Sequence, residues 1–234
     1  MRKPKILDLF CGAGGCAVGY FRAGFDVVGV DINPQPHYPF EFHQADAMQY
    51  PISGFDAVHA SPPCQGYSSM TNLTSKRNHT QHIYELRRIL EKQGCFYVIE
   101  NVPAAKSHLI KPTMLCGTMF GLGVVRHRYF ETNFKLTTEL VCNHSGQLYT
   151  VLTKSCRFLN DMRGPSCHEN GKKAMGIGWM NQFELGESVP PAYTEFIGKQ
   201  LRAHVVCAEC APENTSEARL TAYNKAMVGS TRKF

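Results

Sequence analysis

The chain has 234 residues, 43% of them apolar, and a formal charge of +6. That length buries a real core and fits one large domain, or one domain with a small appendage. The composition excludes a disordered or fibrous chain, and the mild basic excess suits a polyanionic partner without requiring one. Ten cysteines raise the question of a disulfide scaffold. The apolar run after Met1-Arg-Lys-Pro-Lys5 is too short for a secretory leader, and no stretch has the apolar length of a membrane span. The expectation is a cytoplasmic chain with reduced thiols, whose cysteines act separately as core residues, metal ligands or a nucleophile.

In chain order, Lys5-Ile-Leu-Asp-Leu-Phe10 reads as a strand running into Gly12-Ala-Gly-Gly15 and a helix through Tyr20 to Ala23, with Gly24 as its stop. Val27 to Val30 is a second strand ending at Asp31, and Phe55 to Ala60 a third, followed by Pro62-Pro63. Thr80 to Gln93 is helical, because Ile83, Leu86, Ile89 and Leu90 share one face. Cys95 to Ile99 and Arg126 to Phe130 are further strands. Strands alternating with helices predict an α/β fold with a doubly wound, mostly parallel sheet. Residues 135–173 show no clean period and read as a small irregular subdomain. Residues 174–210 return to the main body, with a helix from Ala192 to Val206. The remaining residues, 211–234, read as a polar tail with a weak helical candidate from Ser216 to Met227.

Two places carry chemistry. Asp8-Leu-Phe-Cys-Gly-Ala-Gly-Gly15 closes a strand and opens a helix, where glycines admit a ligand to the backbone and the helix N-terminus favours an anionic group. Asp31 ends the next strand nineteen residues beyond Gly12, the offset of an acid that binds a ribose hydroxyl. The glycine spacing departs from the dinucleotide pattern, which disfavours a nicotinamide cofactor. Ser61-Pro-Pro-Cys-Gln-Gly-Tyr-Ser68 then places Cys64 in a loop after a parallel strand, stiffened by two prolines. A preorganised thiol near cations can act as a nucleophile. Glu100 ends the following strand, where desolvation can hold a carboxyl protonated for use as an acid.

Four ordered motifs resemble those of the cytosine-C5 DNA methyltransferases, over roughly residues 5–131 and 174–206. They are Asp8-Leu-Phe-x-Gly-x-Gly-Gly15, Pro62-Pro-Cys-Gln65, Glu100-Asn-Val102 and the basic segment Phe120 to Phe130. A looser fifth runs from Glu187 to Gly198. Arg126 and Arg128 match the family's two arginines, but Val124 stands where a glutamine is usual. The resemblance implies a Rossmann-like class I methyltransferase fold and S-adenosyl-L-methionine as cofactor. It implies cofactor contacts at Asp8, Phe10, Gly12, Gly14, Gly15, Asp31, Ile32, Asp46 and Pro63. It assigns catalysis to Cys64, Glu100, Asn101, Arg126 and Arg128, and nucleic-acid contacts to Gln65, Ser68, Lys76 and Arg77.

The implied reaction is methylation of cytosine C5 in double-stranded DNA, through a Cys64 adduct on a flipped base, by a monomer in a bacterial or phage-infected cell. The loop Gly66 to His79 is a candidate to close over that base. Residues 135–173 stand in place of the family's target recognition region and predict a short or relaxed target. Two other substrates stay open for the same chemistry, tRNA and a free cytosine nucleotide; Gly66-Tyr67-Ser68 looks more like the DNA branch than the RNA branch. A non-catalytic DNA-binding relic is the remaining alternative, opposed by intact Cys64, Glu100 and Arg128. For metal, Cys142, His144, Cys156, Cys167, His168 and Cys207-x-x-Cys210 fit no standard finger spacing, so the expectation is none. Cys11, Cys16, Cys95 and Cys116 read as core fillers.

Overall fold

The computed structural model describes residues 2–63, 76–160 and 167–210, with the side chains of 76–81 and 207–210 outside that description. Five strands run parallel: β1 (Lys5–Leu9), β2 (Asp26–Asp31), β3 (Glu41–Gln44), β4 (Ala57–Ala60) and β5 (Phe96–Asn101). Two more complete the sheet, β6 (Thr113–Leu115) and β7 (Arg128–Thr132), in the order β3-β2-β1-β4-β5-β7-β6. Strand β7 is antiparallel to both β5 and β6. The sequence-based expectation of a doubly wound, mostly parallel sheet holds, with the order reversing between β1 and β4.

Each face of the sheet carries its own apolar layer. Helix α1 (Gly15–Arg22) packs against α5 (Pro191–Cys210) on one side, with Tyr20, Phe25, Tyr193, Ile197 and Leu201 fully buried between them and the sheet. Gly19 and Gly198 allow that close approach: a Cβ at Gly198 would stand 2.7 Å from the Ala23 methyl. On the other side α2 (Lys76–Gln93) buries Ile83, Leu86 and Leu90 against Leu7, Leu9 and Ile99. Each such aliphatic side chain contributes about 1.5–3 kcal/mol on burial. Ile89, expected on the same face, is 37% exposed. A buried ion pair fixes α2 to β7: Arg87 Nε and Nη2 reach Glu131 Oε1 and Oε2 at 2.6 and 2.7 Å.

Several elements were not legible in the sequence. Strand β3 is a polar edge strand, with only Phe42 partly buried, so no apolar alternation marks it. Helix α2 begins at Lys76, four residues before the expected start at Thr80, because its first turn is polar. Residues 135–173 contain a hairpin, β8 (Tyr149–Leu152) and β9 (Ser155–Phe158), and most of α3 (His168–Met175), which runs across the expected boundary at 173/174. With α4 (Gln182–Glu187) these elements share one apolar cluster of Val151, Cys156, Met175 and Leu185, joined by Ala13 and Val124 from the main body. The candidate helix 216–227 lies outside the described residues. Among the described residues, no helix is long and apolar enough to cross a membrane.

Candidate active site

The strand order decides where a ligand can lie. Leu9 and Ala60 are register partners in adjacent parallel strands, so the glycine turn after β1 and the Ser61-Pro62-Pro63 segment after β4 leave the sheet side by side. The Ser61 amide donates to the Leu9 carbonyl at 3.2 Å and ties the two exits together. Ala60 pairs with Ile99, which puts Glu100 next in line. This is the carboxyl-end crevice of an open parallel sheet, at its topological switch point.

The first side of the crevice is backbone. Phe10 (φ 57), Gly12 (φ 47) and Gly14 (φ 84) all adopt left-handed conformations, which is unusual for a phenylalanine and marks a constrained turn. A Cβ at Gly14 would meet Pro39 Cδ at 2.7 Å. Asp31, at the end of β2, accepts from the Gly12 amide at 3.1 Å and the Asn33 amide at 2.9 Å. Ile32 beside it is 66% exposed, an apolar surface set next to a carboxylate. Asp46 accepts from the Met48 amide and the Gln49 side-chain amide at 2.9 and 2.8 Å, so its carboxylate shapes its own turn. Trp179 donates to the Ala13 carbonyl at 2.8 Å and closes the turn from behind. Beneath it Asp8 is buried, and its Oδ2 accepts no hydrogen bond. Burial, with Asp31 and Glu100 nearby, pushes the Asp8 carboxyl well above the usual range.

The second side is acid and cation. Glu100 is buried, and burial pushes its carboxyl up. Arg128, then the Ser61 hydroxyl and Arg126, pull it back without cancelling that shift. Arg128 Nε lies 3.1 Å from Glu100 Oε1, and its Nη1 donates to the His127 carbonyl at 2.9 Å. Asn101 donates to the Pro62 carbonyl at 2.9 Å, while its own side-chain oxygen accepts from the Val102 amide at 2.9 Å. This bond from β5 holds the proline segment that leads into Cys64. Arg126 is placed differently from Arg128: its guanidinium donates to the Val151 carbonyl at 3.0 Å and the Gly186 carbonyl at 2.6 Å. It bolts β8 and α4 to the main body, and Tyr193 donates to its carbonyl at 2.5 Å.

Some expected residues cannot be placed. Cys64, Gln65 and Ser68 lie outside the described residues. Lys76 and Arg77 begin α2, with side chains outside the description. Pro62 is buried and Pro63, directly before Cys64, is exposed. Sequence reasoning also missed one residue. His59, fully buried in β4, bonds the Tyr20 hydroxyl through Nδ1 at 2.9 Å and the Ser61 hydroxyl through Nε2 at 3.0 Å. Burial lowers it to about 3, so it is neutral and anchors the Ser61-Pro62-Pro63 segment. Its signal was a lone polar residue in Ala57-Val-His-Ala60. Glu187, at the end of α4, is raised by partial burial and then by the Asp31 charge, which sets it near Asp31. It opens the looser fifth motif, Glu187 to Gly198, which the sequence already set beside the other four.

The comparisons agree with this geometry. Residues 4–115 match the model of the C-5 cytosine-specific DNA methylase family. A Type II methyltransferase, M.XorII of Xanthomonas oryzae pv. oryzae, is 34% identical over 124 residues, covering 44% of this chain and 29% of that protein. The chain spans about a third of the length of such relatives. Among solved structures, a DNA modification methyltransferase encoded within an E. coli prophage superposes with TM-score 0.59 at 15% identity, covering 86% of this chain and 99% of that one. The S. pombe Dnmt2 methyltransferase gives TM-score 0.57 at 15% identity, covering 87% and 99%. At that identity the structural likeness speaks for the fold, which is that of the class I methyltransferases.

Proposed function

We propose that this chain, a member of the cytosine-C5 DNA methyltransferase family, methylates C5 of cytosine in double-stranded DNA with S-adenosylmethionine as methyl donor. The observation that carries the reading is the convergence at one switch point: a strained glycine turn with a carboxylate and exposed Ile32 on one side, and a buried acid paired to Arg128 on the other.

The residues suit the cofactor. Positive-φ glycines leave room for close approach, Asp31 can accept from ribose hydroxyls, and Ile32 with Phe10 offers an apolar floor for a base. The orphaned Asp8 oxygen is a further polar atom in that region. When bound, S-adenosylmethionine supplies an activated methyl group. The chain's own groups do the rest. The Cys64 thiolate adds to C6 of the cytosine, moving electron density to C5. Glu100, whose hold on a proton burial strengthens, donates to N3 and stabilises the adduct. Arg128 can hold the O2 side, where charge also builds. Once C5 has taken the methyl group, the C5 proton passes to solvent, the N3 proton returns to Glu100 and the Cys64 thiolate departs from C6, which restores the ring as 5-methylcytosine. Arg126 acts as a positioning residue, since its guanidinium holds the β8–β9 hairpin and α4. Because C5 and C6 are stacked inside a duplex, the base must be extruded.

The remaining substrates are separated by a competition assay. Labelled methyl transfer is measured with duplex DNA, tRNA and dCMP present together. The label is expected in the duplex; label recovered in tRNA or dCMP would move the assignment to that substrate.

A further inference from the structure

On the flank of the sheet away from the glycine turn, four side chains from three separate segments meet. Cys116 precedes the turn Gly117–Phe120, His127 lies between Arg126 and Arg128, and Cys142 and His144 belong to an irregular segment before β8. Their ligand atoms all lie within 4.8 Å of one another. Cys142 Sγ is 2.9 Å from His144 Nε2, and Cys116 Sγ is 3.5 Å from the same nitrogen. His127 Nε2 stands 3.4 Å from Cys142 Sγ and 3.2 Å from His144 Nε2.

Hydrogen bonding alone does not account for this arrangement. His144 Nε2 faces three polar atoms at once, yet an imidazole nitrogen has either one proton or one lone pair and serves one of them well. A central cation would use all four. Zinc with two thiolates and two imidazoles sits about 2.3 Å from sulfur and about 2.0–2.1 Å from nitrogen, which sets ligand–ligand edges of about 3.3–3.8 Å in a tetrahedron. Three of these separations, 3.2, 3.4 and 3.5 Å, are close to those edges, and the Cys142–His144 pair at 2.9 Å is shorter. The surroundings also suit thiolates: the Thr118 hydroxyl lies 3.4 Å from Cys116 Sγ and 3.8 Å from Cys142 Sγ, and the Arg126 amide donates to Cys116.

We infer that Cys116, His127, Cys142 and His144 form a structural zinc site. Four protein ligands leave no open position, so the ion is a staple rather than a Lewis acid. It joins the turn after β6, the segment that carries Arg128, and residues 141–144, where the chain has no regular element of its own. The expectation of no metal came from the spacing of Cys142, His144 and the later cysteines and histidines, and that of Cys116 as a core filler from its apolar surroundings; the steps of eleven and fifteen positions from Cys116 to His127 to Cys142 match no finger pattern either. The site stands on these distances whether or not the methyl-transfer reading is right.

The test is metal content of the full chain, purified under reducing conditions and reconstituted with zinc alone. One zinc per chain is expected. Cobalt substitution should give the intense visible bands of a tetrahedral site with thiolate charge transfer. The double variant Cys142→Ser with His144→Ala should lose the ion, while Cys207→Ser with Cys210→Ser should keep it. A folded, reduced wild-type chain that takes up no zinc would overturn the inference. So would zinc retained by the first double variant or lost from the second.

Discussion

Two regions of this molecule carry their chemistry in opposite ways. The crevice at the ends of β1, β4 and β5 is built from residues that sit next to strand ends, so each motif is contiguous and its order along the chain is its order in space. The cluster beside β7 draws on a turn, a pre-strand segment and an irregular loop, and nothing in the local sequence of any one of them announces the others. The difference teaches that a site is legible in a sequence when the sheet itself brings its parts together. Where irregular backbone does so, only the folded distances reveal it.

If the crevice is the chemical centre, its buried acid has the largest effect. Glu100→Gln keeps the size and polarity of the side chain but removes the proton it donates. We expect kcat to fall about 100-fold or more with little change in KM, as befits a general acid used in the transition state. Steady-state kinetics on duplex DNA checks this, and an unchanged kcat would break the assignment. Arg126→Met probes the border between the two regions. It leaves the carbonyls of Val151 and Gly186 without their guanidinium partner, at a cost of about 3 kcal/mol, read as a lower thermal midpoint. A large drop in kcat with an unaltered midpoint would instead place this arginine on the substrate.

His59 gives the smallest effect and the finest test of the crevice's internal wiring. Its folded pKa, about 3, lies below the unfolded value of about 6.5. The unfolded chain therefore takes up a proton that the folded chain refuses, and stability falls as the pH drops through that window. Between pH 7 and pH 5 the wild type should lose about 2 kcal/mol more than His59→Gln. Asp8 and Glu100 act with the opposite sign, since their raised carboxyls favour the fold at low pH, and they are common to both chains. Equal pH dependence in the two chains would mean that His59 is not held neutral.

Much of the crevice's framework was legible in the sequence. Strand ends at Asp31 and near Glu100, the glycine turn and the proline segment all stand where periodicity and motif order placed them. The apolar face of α2 was legible for the same reason, because burial imposes a period. Strand β3 was not, since its exposed face carries Glu41 and His43 and gives no alternation to read. Strands β8 and β9 are four residues each, and α4 is six, too short for any period to establish itself. The distinct placement of Arg126 and Arg128, two residues apart in one motif, was also beyond the sequence. It arises from β8 and α4, which supply carbonyls to one arginine, while β5 supplies a carboxylate to the other.

The central claim is a covalent path through Cys64 at this crevice. It is tested most directly by giving wild type and Cys64→Ser the same unmethylated duplex with labelled S-adenosylmethionine. The wild type should place label at cytosine C5, and Cys64→Ser should bind the same DNA yet transfer no label above background. Undiminished transfer by Cys64→Ser would contradict the account.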